Sequence, residues 1–225
     1  MKLTIKPFAL ILVTLLLVNC GGIKVVDAWK SPDAKTFKDK NVLVLARATN
    51  KSARTAFERE IADALIARGI KATPSFSKFP NLGEIKERDE ETQQLIRDIL
   101  GYEGFDAVVL TSVQDVRERT TTSGNNYYSN GPWNSYYPSY YGNFNGYYNR
   151  PYAYGYGYGV TIIGDTSPTT YTTKTYYLET VAYILDKDEN DQLIAVVTTK
   201  VEDPKDAYKT AEKYTEEIMK ALDNQ

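Results

Sequence analysis

The hydrophobic pattern of the chain begins with a short apolar leader. Lys2 and Lys6 precede a mostly apolar run over residues 8–18, and the single cysteine, Cys20, follows two residues later. This run has the length of a signal-peptide core and is shorter than the roughly 18 residues needed to cross a bilayer. The pattern therefore predicts a signal peptide over residues 1–19.

The chain beyond residue 40 alternates between strand and helix patterns. Residues 41–48 contain a continuous apolar run at 42–46, which is typical of a strand buried on both faces. Apolar residues then recur at helical spacing from an N-cap at Ser52 to a stop at Gly69. The pattern further predicts a strand over 70–76 that Pro74 confines to a sheet edge, a helix from Asp89 to Leu100, and a strand over 105–116.

The C-terminal part has the pattern of a hairpin followed by a helix. Residues 171–185 and 193–201 alternate on either side of an acidic turn at 186–191. Asp203 is the predicted cap of the last helix, with Pro204 at its first position. The order β-α-β-α-β-β-β-α predicts an α/β (α+β) fold, with a mixed sheet of about five strands and three helices in two or three layers.

The same pattern predicts the domain organisation. Residues 20–39 have only a short apolar piece between Gly21-Gly22 and Ser31-Pro32, so we predict a tether there, and the resemblance given below implies that it is lipidated at Cys20. Residues 40–225 are predicted to form a single α/β domain, and a chain of this length can bury its own core. A low-complexity insertion rich in Tyr, Gly, Asn and Ser occupies residues 120–168, between strands 3 and 4.

The insertion has an unusual composition. Of the chain's 19 tyrosines, 12 lie between residues 127 and 158. The segment has no aliphatic periodicity, so it predicts neither a helix nor an ordinary sheet, and loops this long are usually functional or disordered. Tyr mixed with Gly, Ser and Asn is typical of adaptable binding surfaces. The candidate binding residues are Tyr127, Tyr128, Trp133, Tyr136, Tyr137, Tyr140, Tyr141, Tyr147, Tyr148, Tyr152, Tyr154, Tyr156 and Tyr158.

Three interpretations of the insertion stay open. It can be a low-complexity extension whose tyrosines contact one another or the domain and bind no specific ligand. It can contact a protein or another component of the cell envelope. It can also bind glycan, because aromatic faces stack on sugar rings and phenol hydroxyls bond to their edges.

The amino-acid composition excludes several kinds of catalytic and metal site. The chain has no histidine, which excludes Ser-His-Asp and Cys-His nucleophile systems and the ordinary zinc sites. The remaining enzyme hypotheses are a carboxylate pair, as in a carboxylate-dependent hydrolase, and a serine–lysine arrangement, and no local motif marks either. An acidic cluster lies at a predicted helix start, where the helix dipole explains it better than catalysis does. We predict no metal, no cofactor and no catalytic residues. The acidic cluster consists of Glu84, Glu87, Asp89, Glu90 and Glu91.

The net charge of the chain bears on whether it binds nucleic acid. Loss of Lys2 and Lys6 with the signal leaves 25 basic against 29 acidic residues, a net charge of −4. No strongly basic stretch follows a phosphate backbone, so we predict no nucleic-acid partner.

Short strings along the chain resemble an uncharacterised family of bacterial lipoproteins. Cys20 after the apolar run resembles the lipobox, although Asn19 departs from the small residue usual at that position. Other strings that carry the resemblance are residues 25–32, 42–45, 105–110 and 177–180, together with the tyrosine-rich insertion. The resemblance implies acylation of Cys20 and a membrane anchor. The alternative is an ordinary secretory signal followed by an incidental cysteine.

The order of elements is also similar to small α/β domains of envelope accessory proteins. These include the amino-terminal domain of the Tol translocation protein, the periplasmic domain of the curli secretion lipoprotein, and the lipoprotein activators of penicillin-binding proteins. Such domains bind partner proteins and are not enzymes. No acidic run follows Cys20, which favours the outer membrane facing the periplasm. The resemblance therefore implies a lipid-anchored envelope protein that binds an envelope protein or cell-wall glycan.

Overall fold

A computed structural model, which describes residues 22–48, 50–80, 98, 100–122, 142–148 and 170–225, contains a six-stranded mixed sheet. The strands lie in the order β1-β6-β5-β4-β2-β3. β2 runs parallel to β3 and β4, and the other neighbours are antiparallel. The predicted mixed α/β fold is confirmed, with one strand more than expected. The strands are β1 (Ile23–Lys30), β2 (Asn41–Arg47), β3 (Lys71–Pro74), β4 (Ala107–Thr122), β5 (Thr170–Ile184) and β6 (Leu193–Glu202).

The additional strand lies in the segment that the sequence assigned to a tether, so that assignment is wrong for most of residues 20–39. β1 pairs with β6 along its whole length, and a 3-10 helix follows at Pro32–Asp39. Phe37 from this helix is buried in the core. The segment folds onto the domain because β6 would otherwise leave an open, largely apolar edge.

The helices whose bounds lie within the described ranges are α1 (Lys51–Ala67), α2 (Ser75–Lys78), α3 (Phe144–Tyr148) and α4 (Ala207–Asp223). Two predicted caps are shifted. The side chain of Asn50, not Ser52, accepts the amides that begin α1, and Asp206, not Asp203, accepts the amide of Lys209. Asp203 instead adopts a positive φ of 46° in the turn after β6. A 3-10 turn at Glu189–Asp191 joins β5 to β6.

The predicted strand at 70–76 is shorter than expected. β3 ends at Pro74 and the chain turns at once into α2. β3 is an edge strand, as the proline predicts. Gly69 ends α1 with a φ of +79°, the left-handed conformation expected after a helix. Most of the predicted 89–100 helix lies outside the described residues, although Asp98 and residues 100–102 are helical.

The first face of the sheet packs against α1 and α4. The two helices contact each other through the rings of Phe57 in α1 and Tyr214 in α4, whose centroids are 5.1 Å apart. The hydroxyl groups of Tyr214 and Thr180 lie 2.8 Å apart, and burial raises the pKa of Tyr214. The aliphatic side chains that fill this layer include Val42, Val44, Ile61, Leu65, Val109, Val197 and Ile218.

The second face packs against a different kind of layer. Its aliphatic side chains include Leu43, Leu45, Val108, Leu110, Val181 and Val196. Leu100, Phe105 and the aromatic residues of α3 cover them. The domain therefore has three layers, and the tyrosine-rich insertion supplies part of one of them. In the described part of the chain, no helix is long and apolar enough to cross a membrane.

Candidate functional site

One end of the sheet brings together the features that the sequence singled out. β1 begins there at Ile23, next to Val201 near the end of β6. β4 and β5 continue past that level as a two-stranded ribbon that ends at Thr122 and Thr170, where the tyrosine-rich insertion leaves the sheet. Because Cys20 lies three residues before Ile23, we call this the Cys20 end of the sheet.

The same end carries the carboxyl ends of the parallel strands β2, β3 and β4. Ligand sites in open α/β sheets lie outside these strand ends. α1 and α4 also begin at this end, since each follows a strand that finishes there. The topology therefore places the start of β1, the end of the β4–β5 ribbon and the usual ligand-binding edge on one side of the domain.

Two of the predicted binding tyrosines lie in the core and not on a binding surface. Tyr147 and Tyr148 in α3 are 5% and 6% exposed, and Phe144 beside them is 1% exposed. The centroid of Phe144 lies 5.4 Å from that of Tyr148 and 5.9 Å from that of Tyr183. Their ring faces are occupied by protein, so for these two residues the prediction of a ligand platform is wrong. The expectation that the insertion contains no helix is also wrong at α3.

A buried polar cluster fastens α3 to the sheet. The Tyr147 hydroxyl donates to the carboxylate of Glu179, which is 3% exposed. Gln114 Nε2 donates to the same hydroxyl at 2.9 Å and to Ser112 Oγ at 2.8 Å. Burial, and then the neighbouring Glu179, raise the pKa of Tyr147 well above its usual value. The tyrosine therefore stays protonated and acts as a hydrogen-bond donor.

Arg47, at the end of β2, makes a second connection to α3. Its Nη1 donates to the carbonyl oxygen of Tyr148 at 2.7 Å, and its guanidinium carbon lies 5.3 Å from the Tyr148 ring centroid. A cation over an aromatic face in this range is stabilising. Arg47 and the Tyr147 cluster together make α3 part of the domain.

A second buried polar network lies on the first-face side, at the carboxyl ends of β2 and β3. Glu58 is 0% exposed and forms an ion pair of 2.9 Å with Arg54, which is 4% exposed. Glu58 also accepts hydrogen bonds from the amide of Ala46 at 3.0 Å, from Ser75 Oγ at 2.7 Å and from the amide of Phe76 at 2.7 Å. The ion pair lies within α1, and the three hydrogen bonds to Glu58 join α1 to β2 and to the segment after β3. The network therefore has a structural role.

The second face carries a basic row beyond α3, toward the Cys20 end. Lys24 in β1 lies directly opposite Lys200 in β6, and Tyr177 continues the row in β5. In β4 the row consists of Asp115, Arg117 and Arg119, so its basic members are Lys24, Lys200, Arg117 and Arg119. Arg117 Nε donates to Asp115 at 2.8 Å, and its guanidinium lies 4.8 Å from the Tyr177 ring centroid. No feature of the sequence pattern predicted this row, because its members come from four different strands.

The other predicted site residues lie outside the described residues. This holds for Cys20, for the acidic cluster of residues 84–91, and for most of the candidate binding tyrosines. Within the described ranges, no group of three or more His, Cys, Asp or Glu side chains is placed to hold a metal ion. The candidate binding residues concerned are Tyr127, Tyr128, Trp133, Tyr136, Tyr137, Tyr140, Tyr141, Tyr152, Tyr154, Tyr156 and Tyr158.

Comparison with known proteins gives a distant structural likeness. No family model matches the chain, and no curated protein matches it. Crystals of the PelC dodecamer from Paraburkholderia phytofirmans contain a chain with 10% identity and a TM-score of 0.42, covering 89% of this chain and 96% of that one. A point variant of that dodecamer gives 9% identity and a TM-score of 0.39, with coverages of 88% and 95%. Likenesses this weak carry no conclusion about function or assembly.

Proposed function

We propose that this chain is a lipid-anchored envelope protein that binds a partner without catalysis, through the parts of its tyrosine-rich insertion that flank α3. Cys20 is the acylated residue, and the domain lies on the periplasmic side of the outer membrane. Two or more acyl chains give stable anchoring, whereas one gives only reversible binding. The observation that carries the proposal is that β1 begins at the end of the sheet where the β4–β5 ribbon stops, and that Cys20 precedes β1 by three residues in the sequence.

The insertion is fastened to the domain at three places. Its ends continue from the paired strands β4 and β5, and α3 in its middle is buried against the second face. The two flanking parts, residues 123–141 and 149–169, contain all the candidate binding aromatics except Tyr147 and Tyr148. A binding segment held at both ends loses less conformational entropy on binding than a free loop does.

The contacts of the buried carboxylates favour binding over hydrolysis. Glu58 and Glu179 are held by the side-chain and main-chain groups of their own domain. A hydrolytic carboxylate pair must instead face each other across a substrate-sized gap. Both carboxylates thus have structural partners.

Co-sedimentation with purified cell-wall sacculi tests the binding function. One variant replaces the aromatic residues of 123–141 by serine, and a second does so for 149–169. Both keep Phe144, Tyr147 and Tyr148, because loss of α3 would uncover the second face. Loss of pelleting in either variant, with unchanged thermal unfolding, would identify a glycan-binding segment and favour the peptidoglycan alternative.

If the wild-type protein does not pellet, crosslinking in intact cells follows. Specific crosslinks from the flanking tyrosines to an envelope protein, lost in the serine variants, would support the protein partner. The same crosslinks in all variants would contradict a role for the insertion. Mass spectrometry of the membrane fraction tests the anchor separately, and an unmodified Cys20 would refute it.

A further inference from the structure

The chain is held tightly against the sheet directly after Cys20. The amide of Glu202 donates to the carbonyl oxygen of Gly22 at 2.7 Å. A Cβ on Gly22 would lie 2.7 Å from the Cβ of Glu202, so only glycine fits this close approach. Two residue steps separate Cys20 from Gly22 and span at most about 7 Å. If Cys20 is acylated, as proposed above, the Cys20 end of the sheet therefore lies against the lipid headgroups.

The ribbon then limits how the domain can lie on the bilayer. β4 and β5 pair for five residues beyond the level of Thr175 and Glu202, from Glu118–Lys174 to Thr122–Thr170. At about 3.3 Å per residue the ribbon projects roughly 16 Å past the level of Gly22, which is more than the roughly 7 Å that the two residue steps to Cys20 can span. In the described part of the chain, no third strand covers either edge of the ribbon.

Unpaired strand edges are excluded from the hydrocarbon region, because their amides and carbonyls have no partners there. If the strands were perpendicular to the membrane plane, the ribbon would enter the hydrocarbon region. The domain must therefore lean, which brings one face of the sheet toward the headgroups.

Charge identifies that face. Toward the Cys20 end, the second face carries four basic residues, Lys24, Lys200, Arg117 and Arg119, against three acidic ones, Asp27, Asp115 and Glu202. The first face at the same level carries a balanced Lys174–Glu118 pair with an N–O distance of 2.8 Å.

Lys24 and Lys200 lie directly opposite each other, an arrangement that destabilises a strand pair unless an anion is near. Lys200 pairs with Glu202, whereas no carboxylate pairs with the exposed Lys24 in the described part of the chain. The mature chain as a whole is acidic, so this basic row is a local exception.

We propose that the row formed by Lys24, Lys200, Arg117 and Arg119 binds the anionic phosphates of the bilayer that holds the lipid on Cys20. The lipid provides attachment and the basic row provides orientation. The domain then lies with its second face toward the membrane and the ribbon along the headgroup layer. Attraction to an anionic surface is worth roughly a fivefold change in affinity per basic residue, and salt screens it.

Lysine labelling of the acylated mature protein tests this orientation. The protein is reconstituted in vesicles of phosphatidylethanolamine and phosphatidylglycerol, treated with an amine-reactive reagent and analysed by mass spectrometry. Lys24 is compared with Lys71, an exposed lysine at the opposite end of the sheet. We expect the labelling of Lys24 to be several-fold slower in vesicles than in detergent, with Lys71 unchanged and the protection lost in high salt. Equal labelling of the two lysines in vesicles would overturn the proposal.

The same sample separates this proposal from the proposed anchor. An acylated Cys20 with an unprotected Lys24 refutes the oriented surface and leaves the anchor intact. If Cys20 is unmodified, the anchor is refuted, and the basic row is tested by sedimentation of the unacylated mature protein with anionic vesicles at low salt. Binding that falls roughly fivefold in Lys24→Gln but not in Lys71→Gln supports the row. Absence of binding, or an equal loss in both variants, overturns it.

Discussion

The two faces of the sheet are covered by layers that differ in origin and in chemistry. The first face packs against α1 and α4, two helices of 17 residues each whose apolar stripes are visible in the sequence. The second face packs in part against α3, a helix of five residues from a tyrosine-rich segment. Each side also contains one buried glutamate, Glu58 or Glu179. The difference shows that part of a low-complexity segment can form a structural layer.

The largest effect that we expect concerns the glutamate on the first-face side. Glu58→Ala leaves the guanidinium of Arg54 buried without its carboxylate and removes the acceptor of two backbone amides. Breaking a buried ion pair in this way costs about 3–5 kcal/mol of unfolding free energy. Urea unfolding followed by circular dichroism measures it.

Glu60→Ala is the matched control for this substitution. Glu60 lies on the same helix, and its pKa is raised by partial burial and by the nearby Asp63 and Glu212. Removal of a carboxylate from acidic surroundings should change the unfolding free energy by no more than about 0.5 kcal/mol. If both variants were equally stable, Glu58 would not connect α1 to the strands as described.

The next prediction tests whether α3 is a true structural layer. Phe144→Ala removes a ring that is 1% exposed and in contact with Tyr148 and Tyr183. Such a truncation in a core costs about 3–5 kcal/mol, and we expect the lower end because α3 can detach locally. The midpoint of urea unfolding should fall with an unchanged slope. A variant with wild-type stability would show that the second face is stable without α3.

The sequence predicted the first layer well, and the physical reason is regularity. Residues 42–46 form an apolar run, and the helical stripes repeat over several turns, so each signal is carried by many residues. The hairpin of β5 and β6 was predicted for the same reason, whereas the edge position of β3 was predicted from Pro74 alone.

The elements that the sequence missed have no such repetition. β1 contains a bulge between Val25 and Asp27, which breaks the alternation that marks a strand. α3 is too short to show helical periodicity and forms because its rings pack against the sheet. In the sequence, Arg54 and Glu58 have the spacing of an ordinary surface pair, and only the packing of β2 and of the segment after β3 buries them.

A smaller effect compares one buried tyrosine hydroxyl on each side of the sheet. Tyr147→Phe removes the hydrogen bond to the carboxylate of Glu179, and bonds to charged groups are worth about 1.5–3 kcal/mol. Tyr214→Phe removes the contact with the Thr180 hydroxyl, a bond between neutral groups worth about 1 kcal/mol. The unfolding free energy should therefore fall further in Tyr147→Phe than in Tyr214→Phe. A larger loss in Tyr214→Phe would show that the stronger of the two tyrosine hydrogen bonds lies on the first face.

The smallest effect is a pH dependence that the two tyrosines share. Burial raises the pKa of both Tyr147 and Tyr214, so each stays protonated in the folded protein above about pH 10, where an unfolded tyrosine loses its proton. The unfolded state then binds fewer protons than the folded state, and stability falls as pH rises. Each tyrosine contributes a slope of about 1.4 kcal/mol per pH unit above its unfolded pKa. Urea unfolding at several alkaline pH values should give a slope that is smaller by this amount in Tyr147→Phe, and equally so in Tyr214→Phe. A different outcome would be a reduced slope in Tyr214→Phe but not in Tyr147→Phe. If phenolate absorbance also rose before global unfolding in the wild type, and did not do so in Tyr147→Phe, then α3 would open at high pH while the first layer stays closed.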